Sequence, residues 1–431
     1  GILVAAISKS GATRAYGEWA RSVISGKRSA LGLTAFLGML IFIDDYFNCL
    51  TVGTIMRPVT DKFKICRAKL AYIIDATAAP ICIIAPVSSW AAAVGSSLPE
   101  DSAIDGFALF IETIPFNLYA ILTMVFMAFI ILTGRDYATM GAEVRKNNEH
   151  FEIPAEYKDN VAEETTQGGN GKIFDLVLPL VVLIGACIYG MLYTGGFNDG
   201  ASISEAFADC DASKGLVIGS FTAFVFTALL YLPRGVVTFD NFCRGFSQGF
   251  KAMTPAIFIL CLAWTLSGIC GEDYLNLGGY VGGIVHEHAS LAVFLPVTFF
   301  LVAIGLAFAT GTSWGTFGIL IPIAVAVINL TPETYQLLVL CVAAILSGAV
   351  GGDHASPISD TTILASAGAQ CSHIQHVSTQ VPYVLTVSAC CVIGYLVDGF
   401  TQNGWLGLVV ALGCLAVVMV IVRAKVPASD V

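Results

Sequence analysis

The residues best suited to chemistry are carboxylates set in apolar surroundings. The run LGMLIFIDDYFNCLTVGTI (37–55) puts Asp44 and Asp45 side by side after an apolar stretch, with Asn48 one helical turn further on. A second run, ILSGAVGGDHASPISDTTILASAGAQ (345–370), gathers Asp353, His354, Ser356, Ser359, Asp360 and Thr361 around Pro357. A carboxylate at the centre of a bilayer helix costs about 2.5–3.5 kcal/mol, so four unpaired aspartates would cost on the order of 10 kcal/mol. No lysine or arginine stands near the second pair in sequence. Protons, a bound cation or water in a cavity must then satisfy them. Carboxylate, hydroxyl and carbonyl oxygens suit hard cations, Na+ among them. Two carboxylates a few ångströms apart do not ionise together easily. A cation arriving between them restores the charged forms and expels protons, which is the minimal design of a cation/proton exchanger.

Three further stretches break the apolar pattern. IIDATAAPICIIAPVSSWAAAVG (73–95) sets Ser88 and Ser89 before Trp90, and FATGTSWGTFGILIP (308–322) sets Thr312, Ser313 and Thr316 around Trp314. The stretch 262–283 thins into glycine. Glycine and proline unwind helices, and the freed carbonyls and hydroxyls then need partners. Each signal also has a plainer interpretation. Single hydroxyls in membrane helices commonly join neighbouring helices, His354 reads equally as a satisfied buried imidazole, and Asp75 reads as structural near a helix end. GTSWG (311–315) matches the G-x-S-x-G of hydrolase nucleophiles, with His354 as a conceivable base. It lies in an apolar helix pattern, and a hydrolase leaves four carboxylates without a purpose.

The elements that must hold these residues follow from composition. The 431 residues are 56% apolar and 12% charged, against about 25% charged in soluble domains. Stretches 173–195, 215–233, 290–309, 381–400 and 404–422 approach the ~20 apolar residues needed to span a bilayer as a helix. The alternation of a membrane barrel is absent. We therefore expect an all-α integral membrane protein of about 10–12 transmembrane segments. The thirteen cysteines are dispersed among apolar segments with no metal spacing, so neither a disulfide framework nor a cofactor is expected. The first residues are already apolar, with no initiator methionine, which suggests helices preceding Gly1.

Basic residues mark the cytoplasmic side. Segments 8–28 and 57–69 are rich in lysine and arginine, whereas 96–113 carries Glu100, Asp101, Asp105 and Glu112 with no basic residue. Segment 29–56 lies between two basic loops and is expected to enter and leave on one side, as two half-helices of roughly 20 Å each. Asp44 and Asp45 would sit at the tip of that re-entrant hairpin. The mixed-charge stretch 135–172 reads as a cytoplasmic linker between an N-terminal half (1–134) and a C-terminal half (173–431), its charge run 143–164 as a solvated face. Two local self-matches, 85–95 with 309–319 and 44–55 with 352–363, suggest repeated interrupted segments, the pattern of a transporter's midplane site. They do not fit one collinear duplication.

The long motifs at 37–90 and 351–383, with LAWTL (262–266) and GTSWGTFGILIPIA (311–324) in order between them, resemble the NhaC-type sodium/proton antiporter family of the ion transporter superfamily. The resemblance covers nearly the whole chain. It implies a secondary transporter with inverted repeats, re-entrant hairpins and discontinuous helices, homodimeric and multi-pass in a bacterial inner membrane. It carries a site onto Asp44, Asp45, Asn48, Ser88, Ser89, Thr312, Ser313, Asp353, His354, Ser356, Ser359, Asp360 and Thr361. The expected function is Na+/H+ antiport, with Na+ and H+ as the transported ions and Na+ at Asp44, Asp45, Asp353 and Asp360. The alternative is Na+- or H+-coupled transport of a small organic solute, an amino acid or carboxylate. No nucleic-acid partner is expected.

Overall fold

The computed structural model describes residues 2–86, 88–95, 97–98, 104–151, 169–202, 206, 210–270, 274–276, 279–280, 283, 289–328 and 331–428. Glu100, Asp101, most of the glycine run 271–283 and residues 152–168 of the linker lie outside this set. All regular structure among the described residues is helical. The α-helices in chain order are α1 (Ile2–Lys9), α2 (Ala12–Val23), α3 (Lys27–Leu40), α4 (Asp45–Lys62), α5 (Arg67–Ala76), α6 (Ala79–Cys82) and α7 (Ser89–Gly95). There follow α8 (Gly106–Thr113), α9 (Leu118–Thr133), α10 (Ala138–Glu149), α11 (Ile173–Thr194), α12 (Ala212–Tyr231) and α13 (Phe239–Cys270). The last are α14 (Leu295–Thr310), α15 (Ser313–Val327), α16 (Tyr335–Ala355), α17 (Asp360–Ala369), α18 (His373–Thr401) and α19 (Gly404–Lys425).

Seven helices among the described residues are long and apolar enough to cross a bilayer. Their burial separates core from periphery. The apolar window of α16 is 89% buried and that of α19 only 22%. Helix α16 is thus the central post, wrapped on every side, and α19 turns most of its surface outward to lipid. The protein is an all-α, multi-pass membrane protein.

Four breaks interrupt the helical path around the site. The chain breaks at 41–44 between α3 and α4, at 77–78 between α5 and α6, at 311–312 between α14 and α15, and at 356–359 between α16 and α17. The sequence dictates these places. Gly311 takes a left-handed conformation (φ +69°) that closes α14, and Pro80 stands in the first turn of α6, where its missing N–H costs nothing. Pro357 lies between α16 and α17. The breaks lie beside one another: Asp360 N donates to Gly311 O at 3.3 Å, and Ser89 N to Ile43 O at 2.8 Å. At Gly53 and Gly368, helices α4 and α17 meet backbone to backbone, since a Cβ on Gly53 would stand 2.4 Å from the carbonyl carbon of Gly368.

The ends of the broken helices can be traced to two faces. Lys27 at the start of α3 and Lys64 just past α4 line one pocket with Arg28 and Lys69. Arg57 Nη1 donates to Gly368 O and Arg67 Nη1 to Gln370 O, each at 3.1 Å, so α17 ends on this same basic face. At the other end, α14 begins beside the close of α18, with Phe294 against Phe400 at 5.5 Å.

The first part of the mixed-charge stretch, 135–172, is docked, while Arg145, Lys146 and Glu149 of its charge run are exposed. Helix α10 lies on α18, where Thr139 Oγ1 donates to Ser378 O at 2.7 Å, and Met140 and Val144 are buried. The anchor is Asp136. It accepts from Lys69 Nζ at 2.6 Å and from Tyr383 Oη at 2.9 Å, with Lys69 and Asp136 both buried. Removing one member of a buried pair strands the other charge. We expect Asp136→Ala to cost about 3–5 kcal/mol, read as a lower melting temperature in detergent. An unchanged Tm would show that the pair is not an anchor.

Candidate functional site

The site forms where helix starts face one another inside the protein. At each start a sequence-predicted polar residue serves first as a cap. Asp44 accepts from Phe47 N at 2.8 Å to open α4. Thr312 Oγ1 accepts from Gly315 N at 3.4 Å to open α15, and Ser359 Oγ from Thr362 N at 3.1 Å to open α17. Ser88 Oγ accepts from Ala91 N and donates to Cys82 O. These groups answer the demand that buried N–H groups be paired. Helix starts also point positive dipole ends at the same space, each worth roughly half a charge.

Other expected site residues hold the breaks together. Asn48 Nδ2 donates to Gly38 O (2.7 Å), Thr77 O (2.9 Å) and Ile41 O (3.0 Å). One amide therefore ties two breaks together, and only its Oδ1 is left without a partner. Ser356 Oγ donates to Phe308 O at 2.8 Å, Thr316 Oγ1 to Thr312 O at 2.9 Å, and Ser313 Oγ to Ala349 O at 3.2 Å. Ser313 and His354 make no nucleophile–base pair: Ser313 is committed to a carbonyl, and the His354 ring meets Tyr119 Oη at 3.1 Å.

What remains is a chain of carboxylates. Tyr46 Oη donates to Asp360 Oδ2. Asp360 Oδ1 accepts from Thr361 N at 2.7 Å, and Thr361 Oγ1 donates to Asp353 Oδ2 at 2.8 Å. Asp45 lies within electrostatic reach of Asp44 and Asp360. Asp45 and Asp353 are fully buried. Asp45 Oδ2 and Asp353 Oδ1 have no hydrogen-bond partner, nor does the hydroxyl of Ser89. Among the described residues no three histidine, cysteine or acidic side chains share one metal-sized point. The four expected Na+ ligands thus form a line across α4, α16 and α17, not a cage. A cation here must complete its shell with hydroxyls and break carbonyls.

Sequence reasoning missed several participants. Tyr46 links the two acidic motifs, and only its place beside Asp45 hinted at that. Asp75, read as structural, is fully buried with one oxygen unpartnered; its Oδ2 accepts from Gln380 Nε2 (2.6 Å) and Thr362 Oγ1 (3.1 Å). His354 turns toward Asp75, 3.9 Å away, and not into the carboxylate line. Trp90 and Trp314 meet with ring centroids 5.4 Å apart, which gives the self-match of 85–95 with 309–319 a physical counterpart: both segments start a helix at a serine beside a tryptophan. Beside the tips, Phe42, Ile81, Ile84, Ala85, Pro86, Ile184 and Ile188 line an apolar cavity of about 330 Å³. Three basic residues of the segment 57–69 are buried: Arg57, Arg67 and Lys69. Among the described residues none forms an ion pair with Asp45, Asp353 or Asp360; they hold the α17 carbonyls, Asp61 and Asp136.

Residues 81–400 match the Na+/H+ antiporter family. The chain belongs to this family. It is 41% identical, over 99% of its length and 82% of the relative's, to an uncharacterized protein of Haemophilus influenzae. It is 31% identical to the malate-2H(+)/Na(+)-lactate antiporter of Bacillus subtilis, over 43% of each chain. It is also 31% identical to the arginine/ornithine antiporter ArcD of Halobacterium salinarum, over 38% of this chain and 32% of that one. The antiporter is a secondary transporter and not an enzyme.

The latch role of Asn48 is testable. Asn48→Leu orphans the buried carbonyls of Ile41 and Thr77, each worth about 1–3 kcal/mol, while Gly38 O keeps Ile41 N as a donor. Ser313→Ala removes a single bond worth about 1 kcal/mol. Thermal unfolding in detergent should show the larger loss for Asn48→Leu. Equal losses would sink the latch.

Proposed function

We propose that the chain exchanges Na+ for H+, with Asp45, Asp353 and Asp360 taking up the cation and protons in alternation. The observation that carries this reading is the pair of buried, unpartnered carboxylate oxygens on Asp45 and Asp353. The starts of α4, α15 and α17 supply roughly one and a half positive charges between them. Four carboxylates exceed that, and among the described residues no basic side chain forms an ion pair with Asp45, Asp353 or Asp360. The excess calls for a mobile positive charge. Na+ takes oxygen ligands, and Ser89 Oγ and Asn48 Oδ1 are further unpartnered oxygens. When the cation leaves, protons replace it, because adjacent buried carboxylates resist joint ionisation.

The common pocket of Lys27 and Lys64 supports reading 29–56, carried on α3 and α4, as a re-entrant hairpin from the basic face. The α14–α15 segment is then its inverted counterpart from the other face. Such pairs build sites at the membrane midplane.

A second reading has its own support. The apolar cavity beside Ala85 and Pro86 is large enough for a small organic solute, and the relatives named for malate, lactate, arginine and ornithine exchange such molecules. In that case the tips hold the solute and the aspartates hold the coupling ion.

The deciding experiment drives proteoliposomes of the purified chain with a Na+ gradient while a dye reports internal pH. Proton movement with Na+ alone, lost by about two orders of magnitude in Asp45→Asn and Asp353→Asn, is expected for the antiporter. A pH response that appears only after a carboxylate or amino acid is added would overturn it and establish a coupled solute carrier.

A further inference from the structure

Ser366, His373 and His376 stand outside the carboxylate line. The Ser366 hydroxyl has three neighbours: Thr362 O at 2.7 Å, His376 Nδ1 at 2.9 Å and His373 Nδ1 at 3.2 Å. The opposite ring nitrogens are already committed. His373 Nε2 lies 2.7 Å from Pro357 O, which only accepts, so that nitrogen carries a hydrogen. Gln380 Nε2 donates to Asp75 Oδ2 and to His354 O. This orientation turns Gln380 Oε1 toward His376 Nε2 at 3.0 Å, so that nitrogen carries a hydrogen too.

A ring with its hydrogen on Nε2 offers only a lone pair at Nδ1 until it gains a second proton. Ser366 has one hydroxyl proton to give. If it goes to one ring, the other ring bonds the serine only by holding an extra proton on Nδ1. If it goes to Thr362 O, both rings need one. The trio is built to hold at least one proton beyond the neutral count.

We infer that His373, Ser366 and His376 form a relay carrying protons between the basic face and the buried Asp75. His373 is half-buried at the start of α18, next to the exposed Ile374 and close in sequence to Gln370, whose carbonyl Arg67 holds. A proton on His373 Nδ1 passes to Ser366 Oγ as the hydroxyl proton passes to His376 Nδ1; one N–H and one O–H bond break, and one of each forms. His376 is then an imidazolium with Nε2 3.9 Å from Asp75 Oδ2. A small shift that frees Nε2–H from Gln380 Oε1 and closes this gap to hydrogen-bond distance lets Nε2–H break as O–H forms on Asp75. The groups facing His376 are Asp75 from α5, Thr362 and Ser366 from α17, and His373 and Gln380 from its own helix. His354 of α16 faces Asp75 from the other side. Asp75 in turn lies within electrostatic reach of Asp353 and Asp360, so its protonation state bears on the cation site. The relay rests on the proton-coupled reading above.

The test uses two readouts on the full chain in proteoliposomes: 22Na+/Na+ exchange at equal pH, which needs no net proton movement, and proton movement driven by a Na+ gradient. His376→Gln and Ser366→Ala should leave Na+/Na+ exchange within about twofold and lower proton movement by about a hundredfold. They should also flatten its pH profile around the histidine range, and Ser366→Thr, which keeps the hydroxyl, should restore both. Unchanged proton movement overturns the relay, as does equal loss of both readouts in both variants. Wild-type protein that exchanges Na+ yet moves no protons refutes proton coupling itself, and is distinguished by failing before any variant is made.

Discussion

The whole arrangement depends on one constraint: backbone that leaves the helix inside a membrane protein must find partners at once, because no solvent supplies them. Four breaks lie close together, and most of the polar residues around them are consumed by that demand. Asp44, Thr312 and Ser359 cap helices, Asn48 collects three carbonyls, and Ser356 collects one. Chemistry is left to what survives this accounting. Among the survivors are Asp45 and Asp353, each with an unpartnered oxygen, and Asp360, held by Tyr46 and the Thr361 amide.

This division explains how far the sequence could be read. Apolar length and the scarcity of charge were enough for an all-α membrane protein, because bilayer thickness fixes helix length whatever the tertiary fold. The breaks were legible as well, since glycine, proline and capping hydroxyls act locally. The allocation of roles was not. Nothing in DDYFN says that Asn48 holds carbonyls 7, 10 and 29 residues away while Asp45 keeps a free oxygen. Asp75 was underrated because its partners, Gln380 and Thr362, lie some 300 positions along the chain. Tyr46 was passed over for the same reason.

The buried basic residues show the limit of reasoning from charge alone. Arg57 and Arg67 are inside the protein, yet they close the carbonyl end of α17, where a cation belongs by helix dipole. Lys69 is inside because Asp136 is. Burial of a charge is thus no pointer to function until its partners are named.

The contact between Gly53 and Gly368 bears on how the molecule moves. Side chains between two helices can rotate and let the helices slide; bare backbone in contact leaves nothing to yield. Helices α4 and α17 are therefore locked together at this point, which fixes Asp45 and Asp360, at the starts of these two helices, relative to each other, while Asp353 stands apart on α16.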